Sequence, residues 1–149
     1  MIQKYIFTTL LIAFGVIAVQ GQVNSDTGLI KFKYFCYSDS NSIFLPADFQ
    51  GPKYYNYEEG SIVDFVAPDL SIVSILCGAN AVLNCNETYS ETDTIKNKNG
   101  GYSIYYIDKS HDVYSRKLRA ENRIYMYCNA SNKRKIQLDY VFDLIEKTK

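Results

Sequence analysis

The sequence predicts an α+β domain in which a short helix packs on an antiparallel sheet held by two disulfides, with a small all-β sandwich as the alternative. Three observations predict it. Five or six short runs of β-branched and aromatic residues are separated by turn signals. At most one or two short helices are expected, and residues 110–122 are the best candidate. Four cysteines follow an apolar leader, and an even cysteine count in an exported chain is read as paired.

The leader comes first. Lys4 supplies a positive charge, the run from Tyr5 to Val19 is apolar apart from Thr8 and Thr9, and Val19-Gln20-Gly21 ends it with small or modest residues. This is the layout of a secretory signal over residues 1–21, cut before Gln22. A membrane-spanning helix needs ~20 apolar residues, and this run is shorter. Residues 22–149 remain as a single secreted, disulfide-bonded domain.

Residues 22–28 read as a polar lead-in. Residues 29–37 read as a strand, because Ile30, Phe32 and Tyr34 alternate with Lys31 and Lys33. Residues 38–42 form a Ser/Asp/Asn turn cluster. Residues 47–60 read as irregular, broken at Gly51-Pro52, with Tyr54, Tyr55 and Tyr57 crowded together. Residues 61–66 and 70–77 are β-branched strands, stopped by Ala67-Pro68-Asp69 and by Gly78. The polar stretch 84–101 ends in Lys98-Asn99-Gly100-Gly101, a hairpin signal that opens a strand over 102–107.

Residues 110–122 are the helix candidate, with Ser110 as its cap and Val113, Leu118 and Arg119 inside it. Residues 124–128 read as a strand and 129–135 as a charged turn. Over 136–144, Ile136, Leu138, Tyr140, Phe142 and Leu144 alternate with Gln137, Asp139 and Asp143, which is the strongest strand pattern in the chain. Residues 146–149 are a polar tail.

The formal charge is zero, and without Lys4 fifteen basic residues face sixteen acidic ones. Such a balance argues against nonspecific nucleic-acid binding, which requires several phosphates to be neutralised. The clusters Arg116-Lys117-Leu118-Arg119 and Lys133-Arg134-Lys135 read as solvated turns or faces. Fourteen tyrosines and no tryptophan suit half-buried strands and contact surfaces.

The cysteines are Cys36, Cys77, Cys85 and Cys128, and three pairings are open. The favoured one closes a short loop with Cys77–Cys85 and ties the ends of the domain with Cys36–Cys128. No Cys-x-x-Cys occurs and one histidine is present, so no metal site is expected. Asn86-Glu87-Thr88 and Asn129-Ala130-Ser131 are glycosylation sequons, with Asn86 and Asn129 as the acceptors.

Nothing assembles into a reaction centre. His111 is the single histidine, and no spacing ties it to Glu58, Glu59 or Asp112. There is no Gly-x-Ser-x-Gly elbow and no glycine-rich phosphate loop. The expectation is a monomeric protein without catalytic residues or cofactors that works by binding.

Tyr34-Phe35-Cys36 near the start of the mature chain, with Cys128 near its end, resembles the Tyr-x-Cys ribonuclease-like secreted effector proteins of powdery mildew fungi. The resemblance implies a short helix packed on a curved antiparallel sheet and a Cys36–Cys128 bond. It also implies a virulence role: entry into host cells and suppression of defence by binding host protein or RNA, with recognition by a host immune receptor in some members. The active ribonucleases use a glutamate, an arginine and two histidines, so one histidine implies a scaffold without that catalysis. The chain departs from the pattern in carrying Pro46, Gly51 and Pro52 where the family places its helix. The alternative is an extracellular β-sandwich binding or venom-type protein. For this reading Cys77 and Cys128 stand about fifty residues apart, as in immunoglobulin-like domains, although Met126 occupies the position of the corner tyrosine.

Overall fold

The computed structural model describes residues 23–24, 27–57, 60–78, 88–97, 100–120 and 122–148. Along them run β1 (Val23–Asn24), β2 (Leu29–Cys36), β3 (Asp39–Pro46), β4 (Gln50–Tyr57), β5 (Gly60–Val66), β6 (Ile72–Gly78), β7 (Ser90–Lys96), β8 (Tyr102–Asp108), β9 (Val113–Ala120), β10 (Arg123–Ala130) and α1 (Asn132–Lys147). The leader, Cys85, Asn86, Glu58 and Glu59 lie outside the described residues.

The strands form two antiparallel sheets. One has three strands in the order β1-β2-β3, and the other has seven in the order β4-β5-β6-β10-β9-β8-β7. The expected short helix on a single ribonuclease-like sheet is therefore overturned, and a layered, sheet-dominated body takes its place. Alternation explains the layering. In the seven-stranded sheet Val63 pairs with Ile75 and Ile75 with Tyr125, while Leu118 pairs with Tyr125 and Ser103 with Leu118. These residues share one face, and all are buried. The β2–β3 hairpin covers this face at β5 and β6, where Phe32 and Tyr34 meet the Phe65 ring edge-on at 5.4 and 6.4 Å. Helix α1 covers it at β9 and β10, where Phe142 meets Tyr127 at 5.2 Å. The opposite face buries Ile62, Leu76 and Met126, which is why β5, β6 and β10 read as near-continuous apolar runs. The described elements cover the first face only.

The strands expected over 29–37, 61–66, 70–77, 102–107 and 124–128 form as β2, β5, β6, β8 and β10. The hairpin signal at Asn99-Gly100 joins β7 to β8, with the Asn97 N–H donating to the Gly101 carbonyl at 2.9 Å.

Three expectations fail, each for a physical reason. Residues 136–144 are helix, not strand. Leu138, Val141, Phe142 and Ile145 lie at helical spacing and pack on the sheet, whereas Ile136 and Tyr140 of the apparent alternation are exposed. Ser131 caps this helix, its Oγ accepting from the Arg134 N–H at 3.3 Å. Residues 110–120 are the β8–β9 turn and strand β9, because Arg116 and Leu118 face the core two residues apart. Ser110 caps no helix; its hydroxyl and N–H both donate to Asp108 within the turn. Residues 50–57 are strand β4, at the edge of the sheet, where Pro52 removes no hydrogen bond that the sheet needs.

The basic clusters, expected as solvated turns or faces, leave Arg119 and Lys133 exposed but bury one arginine each. Arg116 is 1% exposed beneath α1, its Nη1 donating to Asp143 at 2.7 Å and its Nη2 to Glu146 at 3.2 Å. Arg134 is buried at the start of α1, clamped by Asp48 and, at 3.0 Å, by Asp69. The two arginines hold the two ends of the helix onto the body.

Candidate functional site

Strand alternation sends the three residues of Tyr34-Phe35-Cys36 to three different places. Cys36 faces inward and is bonded to Cys77 of β6, so the hairpin is stapled to the large sheet. This bond overturns both expected pairings, Cys36–Cys128 and Cys77–Cys85. The reason is layering: β2 packs on β4 and β5, and its C-terminal end brings Cys36 within a Cα–Cα distance of 5.4 Å of Cys77 on β6. One disulfide lies wholly within the described residues. Cys128 is disulfide-bonded as well.

Phe35 faces outward. Together with Tyr37, Tyr54 and Tyr57 it lines an open groove between the tip of the β2–β3 hairpin and the β4–β5 edge. The four rings are between 43% and 69% exposed, too much aromatic surface for a wall that only supports the core. The Phe35 N–H donates to the Tyr54 hydroxyl at 3.1 Å, which fixes one side of the groove to the other. Tyr55 points to the other side of the same edge strand and is also exposed.

Tyr34 faces inward, 1% exposed, at the base of a cavity of about 480 Å³. The cavity opens at the seam where the hairpin and α1 lie side by side. Ile43 and Phe44 line it from β3, Arg123 and Tyr125 from β10, and Val141, Leu144 and Ile145 from α1. Arg123 hydrogen-bonds the Tyr34 and Tyr125 hydroxyls. Burial pushes the Tyr34 phenol well above the ordinary tyrosine range, and Tyr125 beside it adds to the effect despite Arg123. The Tyr34 phenol therefore stays neutral beside the Arg123 guanidinium.

His111 sits at the tip of the β8–β9 hairpin, its side chain 66% exposed. Its Nδ1 faces Asp108 at 2.9 Å and Ser110 at the same distance. A proton relay needs the carboxylate and the hydroxyl on opposite ring nitrogens, so these three residues do not form one. They close a turn instead. The Asp108 carboxyl is held far below its ordinary value by hydrogen bonds from Ser110, Thr88 and His111.

Asn129, the second sequon acceptor, lies at an irregularity in β10 with φ of 56°, and its side-chain oxygen accepts from Tyr89 at 3.1 Å. Asn86 lies outside the described residues. Among the described residues no group of three or more His, Cys, Asp or Glu side chains is placed to hold a metal ion.

Sequence reasoning singled out Tyr34, Phe35 and Cys36 but missed Arg123 and Tyr125. A signal was present. Arg123 stands in the alternating row with Tyr125 and Tyr127, the row that faces the core, and a cation in such a row needs a polar purpose. No protein-family model, no curated protein and no solved structure matches this chain.

Proposed function

We propose that the chain is an extracellular, non-catalytic binding protein and that the aromatic groove is where a protein partner docks. The observation that carries this reading is the groove of Phe35, Tyr37, Tyr54 and Tyr57, four exposed rings gathered from the end of β2 and from β4. Aromatic rings are the side chains that protein interfaces concentrate at their energetic centre. The groove is also rigid: Cys36–Cys77 lies one residue from Phe35, and Tyr54 is bonded to the Phe35 backbone. Preorganisation of this kind lowers the ordering cost of binding. The secretory leader and the paired cysteines support an extracellular setting.

Protein is favoured over RNA as the partner. Arg116 and Arg134, one from each basic cluster, are committed to carboxylates, and the chain as a whole is neutral. The groove lining holds four exposed aromatic rings and no lysine or arginine, which describes a protein contact better than a phosphate one.

The test places a photoreactive side chain at Tyr37 and, as control, at Ile95 on the far edge strand β7, which is also exposed. The labelled proteins are exposed to the extracellular fluid of the source tissue. A defined protein adduct is expected from Tyr37 alone, competed by unlabelled wild type and not by a Tyr37→Ser/Tyr57→Ser variant. Equal labelling from both positions rejects the groove. Recovery of the expressed chain from medium with Gln22 at its N-terminus is expected in parallel.

A further inference from the structure

We propose that the cavity at the seam between the β2–β3 hairpin and α1 binds a free single-chain amphiphilic carboxylate, its head at Arg123 and its chain along Ile43, Phe44, Leu144 and Ile145. The proposal concerns a second site, separate from the aromatic groove.

Charge supplies the first reason. Arg116 and Arg134 are each matched by carboxylates of this chain. Arg123 is not: no carboxylate among the described residues forms an ion pair with it, and its hydrogen-bond neighbours are the hydroxyls of Tyr34 and Tyr125. A guanidinium has five N–H donors in a planar fork shaped for a carboxylate. The two phenol hydroxyls beside it add donors that can turn toward the same anion. Among the described residues this partly buried cation in the cavity wall has no carboxylate counter-charge, and a ligand head group would provide one.

Shape supplies the second reason. The cavity is walled by a hairpin on one side and a helix on the other, with the large sheet as its floor. Its volume of about 480 Å³ lies within the range of small-molecule sites. Apolar side chains dominate the walls, while Ser40, Asn41 and Thr148 stand near its rim. One charged group at the base of an apolar enclosure selects a molecule with one anionic end and an apolar body. Membrane lipid presents its anionic head outward with two chains behind it, so the committed source is a free monomer.

The test uses the purified, folded chain and three probes. The fluorescent sulfonate 1-anilinonaphthalene-8-sulfonate reports occupancy, and decanoate and decanol compete with it. One site per chain is expected, and decanoate should displace the dye at a concentration about tenfold or more below decanol, the gain of a charge-assisted hydrogen bond. In Arg123→Gln the two competitors should become equal. Because Arg123→Gln touches two buried tyrosines, Thr148→Trp at the exposed rim is a second variant, expected to weaken both competitors alike. Equal competition in the wild type overturns the proposal. So does a decanoate preference that survives Arg123→Gln in protein with a native melting transition, or binding unaffected by Thr148→Trp. Association with phosphatidylglycerol vesicles without uptake of decanoate overturns it as well.

Discussion

Arg116 Nη1 stands 2.7 Å from the Asp143 carboxylate, so a cation buried in the middle of a strand holds the C-terminal half of the only described helix onto the sheet. Glu146 at 3.2 Å and the Ser103 hydroxyl at 3.1 Å take the remaining donors, and the guanidinium lies over the Tyr105 ring at 5.0 Å. The energetics of such a clamp are asymmetric. Arg116 is buried, whereas Asp143 and Glu146 are partly solvated. Removing Asp143 and Glu146 leaves the desolvated cation only the more distant Asp139 carboxylate at 3.5 Å, while removing the cation releases carboxylates that water can reach. Asp143→Asn/Glu146→Gln should therefore cost about 3–5 kcal/mol and Arg116→Met about 2 kcal/mol. Urea unfolding measures both, and the reverse order would contradict the clamp.

The Cys36–Cys77 bond spans 41 residues of chain. In the chain-entropy picture, closing a loop of that size stabilises the fold by about 4 kcal/mol. Cys36→Ala/Cys77→Ala should lose stability on that scale in denaturant unfolding. Peptide mapping of the non-reduced protein should yield a Cys36 peptide joined to a Cys77 peptide. Recovery of Cys36 joined to Cys128 would refute the seating of the end of β2 against β6.

Asp108 makes stability depend on pH in a defined window. Its carboxyl is held far below the ordinary 3.8 in the folded state by Ser110, Thr88 and His111. The unfolded chain thus takes up this proton at a higher pH than the folded chain does. The stabilisation is fully present above about pH 4 and is lost as pH falls through the folded value. The melting-temperature gap between wild type and Asp108→Asn should be flat from about pH 5 to 7 and should narrow below about pH 4. A gap that widens with acid would mean that the carboxyl is not anionic in the turn.

Ser131 tests the start of the helix. Its Oγ accepts from the Arg134 N–H, satisfying one of the free donors of the first turn. In protein made without glycosylation, Ser131→Ala should cost about 1 kcal/mol by thermal or urea unfolding, and Ser131→Thr should be near neutral. Equal stability of the alanine and threonine variants would show that the cap contributes nothing.

Local chemistry carried much of the fold. Alternation in β2, β-branched runs in β5 and β6, the Asn-Gly turn before β8 and the apolar run of β10 were all legible as strands, because each is a nearest-neighbour pattern with a turn residue at its end. The C-terminal segment shows where such patterns run out. Ile136, Leu138, Tyr140, Phe142 and Leu144 satisfy a period of two, while Leu138, Val141, Phe142 and Ile145 satisfy a helical one. An apolar-dense segment fits both. The surface it must cover decides between them, here Leu118, Tyr127 and Ala130 together with the carboxylate demand of Arg116.

By itself, then, the amino-acid order determined which stretches would be extended, where turns fall, and that the cysteines would pair. Tertiary structure alone decided which cysteine meets which, because β2 had to be laid over β4 and β5 before its end could bring Cys36 to Cys77. It alone made the two candidate sites. The groove draws on residues 35–61 across two sheets, and the cavity brings Tyr34, Arg123 and Leu144 to one seam from positions far apart in the chain. Contacts between layers depend on which faces remain to be buried once the strands exist, and that is a property of the assembled sheets, not of any window of sequence.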